Sequence, residues 1–182
     1  MIEQDDLKII EECLGGNTEA FEQIVDKYQK PIFNGAYRII NQYEDAEDVT
    51  QAVFVKAFEN LRSFNPKYKF FSWLYRMLIN ESLNFINHRK RIEISDTETM
   101  RHKLNPQENH RAIDLSRDIQ NALMDLKPDY RVVVVLKHFR DFSYKEMSTV
   151  LDIPEKTVKS RLFTARQALK DILVRKGFIS NG

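Results

Sequence analysis

The chain has 182 residues, 42% of them hydrophobic and 30% charged, a net charge of +1 and only five Gly and five Pro, which excludes a disordered or turn-rich sequence and predicts a globular helical one. A single cysteine, Cys13, excludes a disulfide framework and a CxxC metal site and fits a reducing cytoplasm. The opening MIEQDDLKII has neither the basic nor the long apolar part of a signal peptide, and no stretch approaches the ~18 apolar residues of a membrane span, so a soluble cytoplasmic protein with no direct membrane insertion is expected.

Between residues 17 and 40 the apolar positions Phe21, Ile24, Val25, Tyr28, Ile32, Phe33, Ala36, Tyr37 and Ile40 recur at three- and four-residue steps, broken only by Pro31. Two helices, or one kinked helix, are predicted. The acidic cluster Glu44, Asp45, Glu47 and Asp48 suits a positive helix N-terminus and opens a third helix through Val49, Val53, Ala57 and Leu61. A fourth begins near Phe70 or Phe71 and ends in the basic run His88, Arg89, Lys90 and Arg91, matching the negative helix pole.

Residues 92–111 carry few large apolar side chains, no helical period and a proline, and predict a linker. Beyond it Ile113, Ile119, Leu123 and Leu126 mark another helix, ended by Lys127 and Pro128. The run VVVVL at 132–136 is strand-like by propensity, but the chain offers it no strand partner, so helix is the expectation. The predicted organisation is all-α, with a first helical domain over 1–91, a flexible linker over 92–111 and a second helical domain over 112–182.

Charge alternates in sign along the chain. Residues 1–60 hold 5 basic and 13 acidic side chains, residues 61–91 hold 7 and 1, residues 92–128 hold 5 and 7, and residues 129–182 hold 11 and 6. Two cationic zones alternating with acidic ones predict two places for polyanion and an acidic surface for a different partner.

The clearest motif lies at 143–173, where two helical patterns flank Asp152, Ile153 and Pro154, the grammar of a helix-turn-helix. Met147, Leu151, Ile153, Val158 and Leu162 would clamp the pair, Pro154 fits the opening of the second helix, and Asp152 tolerates the left-handed backbone of a tight turn. On the second helix Val158, Leu162, Ala165, Leu169 and Ile172 form one stripe, so Lys156, Lys159, Ser160, Phe163 and Gln167 face the other way, where they can reach base edges. Thr157 and Thr164 complete that face, and Arg161, Arg166 and Lys170 flank it where phosphates would lie. An αα-hairpin with a solvated basic side is the competing reading, but it strands Phe163 in water.

A second constellation follows the fourth helix: Trp73, Arg76, Asn80, Asn84, Asn87 and Arg91 fall on one side, combining indole, guanidinium and amides. Such groups stack on and hydrogen-bond to unpaired bases. The preceding Arg62, Ser63, Phe64, Asn65, Pro66 and Lys67 form a loop suited to an extruded base; Trp73 as a core residue is the alternative. Asp45 and Asp48 share a helical face but lack the second acidic cluster and pocket glycines of a metal enzyme, and the four histidines show no metal-ligand spacing. No catalytic residue, metal or cofactor is predicted.

DAEDVTQAVFVKAF (45–58), FFSWLYRMLINESLNFINHRKR (70–91) and SYKEMSTVLDIPEKTVKSRLFTAR (143–166), in this order and spacing, resemble the extracytoplasmic-function (ECF) sigma factors of the sigma-70 family. The resemblance implies a region-2 and a region-4 domain, transcription initiation with core RNA polymerase at promoter DNA, and an anti-sigma partner. It further implies that Asp45, Asp48, Thr50, Gln51 and Phe54 dock on the β′ coiled coil, that region 4 meets the β flap, and that residues 63–69 and the fourth helix open and hold the minus-10 element while 156–167 read the minus-35 element. Ser148, Asp152 and Thr164 stand where the family often has alanine, glycine and a basic residue. Two other classes stay in view: a DNA-binding regulator independent of polymerase, which accounts for the last block only, and a helical metal enzyme centred on Asp45 and Asp48.

Overall fold

The computed structural model describes residues 2–95 and 114–178; most of the expected linker lies outside them. The described residues form eight α-helices: α1 (Ile2–Leu14), α2 (Phe21–Ile40), α3 (Tyr43–Glu59), α4 (Phe70–Ser95), α5 (Asp114–Met124), α6 (Pro128–Arg140), α7 (Tyr144–Leu151) and α8 (Glu155–Arg175). Short 3-10 turns over Thr18–Ala20 and Leu61–Ser63 precede α2 and follow α3, and no strand occurs among the described residues. An all-α fold of two helical bodies, α1 to α4 and α5 to α8, results. Among the described residues no helix is long and apolar enough to cross a membrane.

In the first body the apolar period of α2 turns Ile24, Ile32, Ala36 and Ile39 inward against Val53 and Ala57 of α3 and Leu74, Tyr75 and Leu78 of α4, all fully buried. Pro31 lies inside one continuous helix. At Gly35 the close approach of α4 is explicit, since a Cβ there would stand 2.6 Å from Leu78 Cδ2 and 2.8 Å from the Tyr75 hydroxyl. Helix α1, which the sequence reading left unassigned, is pinned by a buried carboxylate: Asp6, 2% exposed, accepts from the Lys27 ammonium and, at 2.5 Å, from the Tyr28 hydroxyl. A buried charge is tolerated when paired in this way.

In the second body the valine run behaves as a helix that is apolar all round and therefore enclosed. Val132, Val133, Val134, Val135 and Leu136 are at most 2% exposed. Burial outweighs the modest helix propensity of β-branched residues, which is a few tenths of a kcal/mol each. Helix α7 opens on a capping box in which the Ser143 hydroxyl accepts from the Glu146 N–H while the Glu146 carboxylate accepts from the Ser143 N–H. Asp152 ends it with φ 55°, the left-handed turn expected of it. Helix α4 continues to Ser95, past the expected boundary at residue 91.

The two bodies pack on one another, α7 along α4, and α5 and α6 across α2. Phe142, 4% exposed, packs against the touching rings of Phe71 (centroids 5.8 Å apart) and Tyr75 (5.3 Å). Side chains of the second body also take up α2 carbonyls: Gln120 donates to Tyr37 O (3.2 Å) and Arg38 O (3.3 Å), Arg140 to Pro31 O (2.6 Å), and Arg131 to Ile39 O. Burial holds the Arg131 pKa down to about 10, so the guanidinium remains charged at neutral pH. The Tyr75 hydroxyl, pushed up to about 12 chiefly by burial, stays neutral.

Candidate nucleic-acid interface

Helix α8 carries the first candidate surface. Val158, Leu162, Ala165 and Ile172 are buried, which obliges the intervening residues to face outward. Lys156, Thr157, Lys159, Ser160, Phe163, Thr164, Arg166 and Gln167 are exposed and Arg161 is half-buried. Phe163, at 66% exposed, is an aromatic ring without a packing role in the fold. Neighbours hold several of the cations in place. The Lys159 ammonium lies 5.4 Å from the Tyr144 ring centroid, Arg161 is 3.9 Å from the Asp129 carboxylate, and the Arg166 Nε–H donates to His138 Nε2 at 3.2 Å. Burial, then the charges of Arg166 and Lys137, lower the His138 pKa, favouring the neutral ring that can accept this bond.

The second surface combines α4 with the loop before it. Arg76, Asn80, Asn84, Asn87 and Arg91 are exposed on the helix, and Ser63, Asn65 and Lys67 are exposed on the loop. The Asn65 side chain accepts from the Lys67 N–H at 3.0 Å, shaping a tight polar turn. Trp73 and Phe64 are half-buried, their rings 5.5 Å apart and both packed on Phe70. Trp73 is thus neither a core residue nor free: one side joins an aromatic cluster, and the other lines a crevice of about 650 Å³. Ser63, Asn65, Tyr68 and Arg76 share this crevice with Ser148, Asp152, Ile153 and Pro154 of the helix-turn-helix. Arg76 is 3.0 Å from the Asp152 carboxylate, and Lys69 is 3.0 Å from that of Glu146.

Along α3 the five residues assigned to polymerase divide. Asp48 and Gln51 are exposed, and Asp45 is half-buried and paired with Arg89 at 3.4 Å. Thr50 and Phe54 turn inward, 9% and 8% exposed, and the Thr50 hydroxyl donates to Ala46 O at 2.6 Å. Both therefore support the helix from inside, because they fall on the same stripe as Ala46, Val53 and Ala57. Val55 and Phe58, not singled out from the sequence, are 56% and 42% exposed beside the acidic positions. Their off-stripe placement on α3 was the signal available for them.

The family "Sigma-70 region 2" matches residues 24–92, and "Sigma-70, region 4" matches residues 116–169. The chain is 34% identical over 175 residues to the ECF RNA polymerase sigma factor SigW of Bacillus subtilis, covering 90% of this chain and 94% of the relative. It is 30% identical to the RNA polymerase sigma-H factor of Pseudomonas aeruginosa, covering 95% and 96%. Among solved structures, the sigma factor RpoE in complex with the anti-sigma factor NepR from Bartonella quintana aligns with a TM-score of 0.71 at 25% identity, covering 84% of this chain and 96% of that one. CnrH in complex with the cytosolic domain of CnrY aligns with a TM-score of 0.69, again at 25% identity, covering 92% and 96%. The chain belongs to the ECF sigma factors of the sigma-70 family, proteins that direct promoter-specific transcription initiation.

Proposed function

We propose that this chain acts in the cytoplasm as an alternative sigma factor that captures core RNA polymerase and selects promoters at two separate surfaces, contributing binding and strand opening without catalysis or cofactor. Residues 1–91 take polymerase and the minus-10 element, 92–111 span the distance between contacts, and 112–182 take the minus-35 element and the β flap. The observation that carries this reading is the outward face of α8, where cations, hydroxyls, an amide and one exposed ring stand opposite a fully apolar stripe. Lys156, Thr157, Lys159, Ser160, Phe163, Thr164 and Gln167 reach base edges in the major groove, and Arg161 and Arg166 meet phosphates.

On region 2, Ser63, Phe64, Asn65 and Lys67 receive an extruded base, Trp73 stacks at the edge of the opened duplex, and Arg76, Asn80, Asn84, Asn87 and Arg91 follow the single strand. Asp45, Asp48 and Gln51 meet a basic surface of the β′ coiled coil, flanked by the apolar Val55 and Phe58. Of the structural neighbours, RpoE is bound to the anti-sigma factor NepR and CnrH to the cytosolic domain of CnrY, which supports control of this chain by an anti-sigma factor. The test is a pull-down with purified core polymerase. Wild type is captured, Asp48→Ala is captured at least several-fold less, and a chain that binds duplex promoter DNA tightly while ignoring polymerase contradicts the reading in favour of a polymerase-independent regulator.

A further inference from the structure

We propose that His138 and Arg166 together form a seat for one DNA phosphate at the edge of the reading helix, and that filling it draws a proton from solvent onto the His138 ring. This rests on the assignment of the α8 face to duplex DNA and adds to that face a residue from another helix. His138 lies in the last turn of α6, and both side chains are exposed. The ring accepts the Arg166 Nε–H on Nε2 at 3.2 Å, which fixes its own proton on Nδ1. That bond spends one guanidinium donor and leaves the two terminal nitrogens for an anion. Arg161 has the Asp129 carboxylate beside it, whereas among the described residues no carboxylate pairs with Arg166.

The charged groups that bear on the ring are Arg166 from α8, Lys137 on its own helix and Asp141 just after it. From α7 comes the Tyr144 ring, which carries Lys137 at 5.5 Å and Lys159 at 5.4 Å, and from α2 comes Arg38, held on the Phe139 ring at 3.8 Å. One carboxylate therefore stands among several cations. This surplus disfavours the imidazolium while the seat is empty, and a phosphate reverses the preference by cancelling the repulsion from Arg166 and Lys137. Protonated Nε2 then donates to a phosphate oxygen, and the Arg166 Nε–H turns from the ring to the same anion. A phosphate contact carries no base information, so the seat adds affinity and register and leaves base reading to the outer face of α8. Linkage gives the sign: a complex that holds one more proton than its parts grows tighter as pH falls.

The test compares wild type with His138→Gln, which keeps an oxygen acceptor for Arg166 and cannot titrate. Holoenzyme made from each full chain and core polymerase is titrated onto a rhodamine-labelled promoter recovered from a randomised library, at about pH 7.5 and about pH 5.5. Every other titrating group is common to the two proteins, so the ratio of their pH responses isolates His138. Wild type is expected to gain roughly three- to tenfold more affinity than the variant over this interval. A histidine NMR titration of the full chain gives a second reading, with the His138 signal identified by its loss in the variant. A random-sequence duplex of about 20 base pairs should raise the titration midpoint of that signal by roughly one pH unit. Equal pH responses of the two holoenzymes, or a midpoint that the duplex leaves unmoved or lowers, overturn the proposal while the reading of α8 stands. A library that yields no promoter sinks that reading, and the phosphate seat with it.

Discussion

Asn41, Asp141 and Asp152 all carry positive φ, 61°, 53° and 55°, and each closes a helix. Short polar side chains are the non-glycine residues that occupy this region most readily. Asp141→Gly should accordingly leave stability nearly unchanged, whereas Asp141→Val should cost about 1–2 kcal/mol in a chemical denaturation series. Equal effects of the two would contradict the backbone argument. His138 makes a pH prediction of definite sign. Burial and its cationic neighbours hold its folded pKa below the ordinary histidine value, so the unfolded chain takes up a proton first and stability falls as pH drops below about 6.5. His138→Gln, which still offers an oxygen to Arg166, should lose less in Tm between about pH 7.5 and about pH 5.5 than wild type does. At the reading face proposed for α8, Lys159→Ala and Ser160→Ala should alter the preferred upstream element in promoter selection. An unaltered preference would displace the reading face from this side of α8.

At the scale of elements, α2 and α4 meet at Gly35 without room for a methyl group, because Leu78 and Tyr75 are fully buried and the Tyr75 hydroxyl is fixed on Pro31 O at 3.2 Å. Gly35→Ala should destabilise the protein by about 1–3 kcal/mol despite the better helix propensity of alanine. A stabilised variant in thermal melting would refute the close approach. Ser143→Ala removes one half of the capping box and should cost about 1 kcal/mol. The elements with a clear 3.6-residue period, α2, α3, α4 and α8, were legible in the sequence, and so was the left-handed turn at Asp152. The valine run needed an argument by elimination, since its enclosure erases any amphipathic signal. Helix α1 went unassigned because its buried face mixes Ile10 and Cys13 with Asp6, a charge that periodicity alone counts as exposed. The Ser143 to Glu146 spacing is a capping-box signal of a helix start that apolar periodicity does not register.

Across the whole molecule, charge segregation was visible from composition, and it divides each helical body into an acidic and a cationic part. What no pattern announced was how those bodies meet. Phe142 sits in a loop where nothing periodic assigns it a partner, and Gln120, Arg131 and Arg140 use carbonyls more than 80 residues away in the chain. Thr50 and Phe54 show the converse: resemblance carried them to a partner, while the helical stripe they share with Val53 turns them into the core. The proposed division of polymerase and promoter contacts between the two bodies makes one demand on the assembled system: the protein must bring polymerase to DNA that carries two separated elements. Transcription by core polymerase and this protein from a randomised promoter library tests that demand most directly. The account predicts transcripts starting downstream of two recurrent boxes at a fixed spacing, with the upstream box changed by substitution at Lys159 or Ser160; a library that yields no start sites above those of core enzyme alone would contradict it.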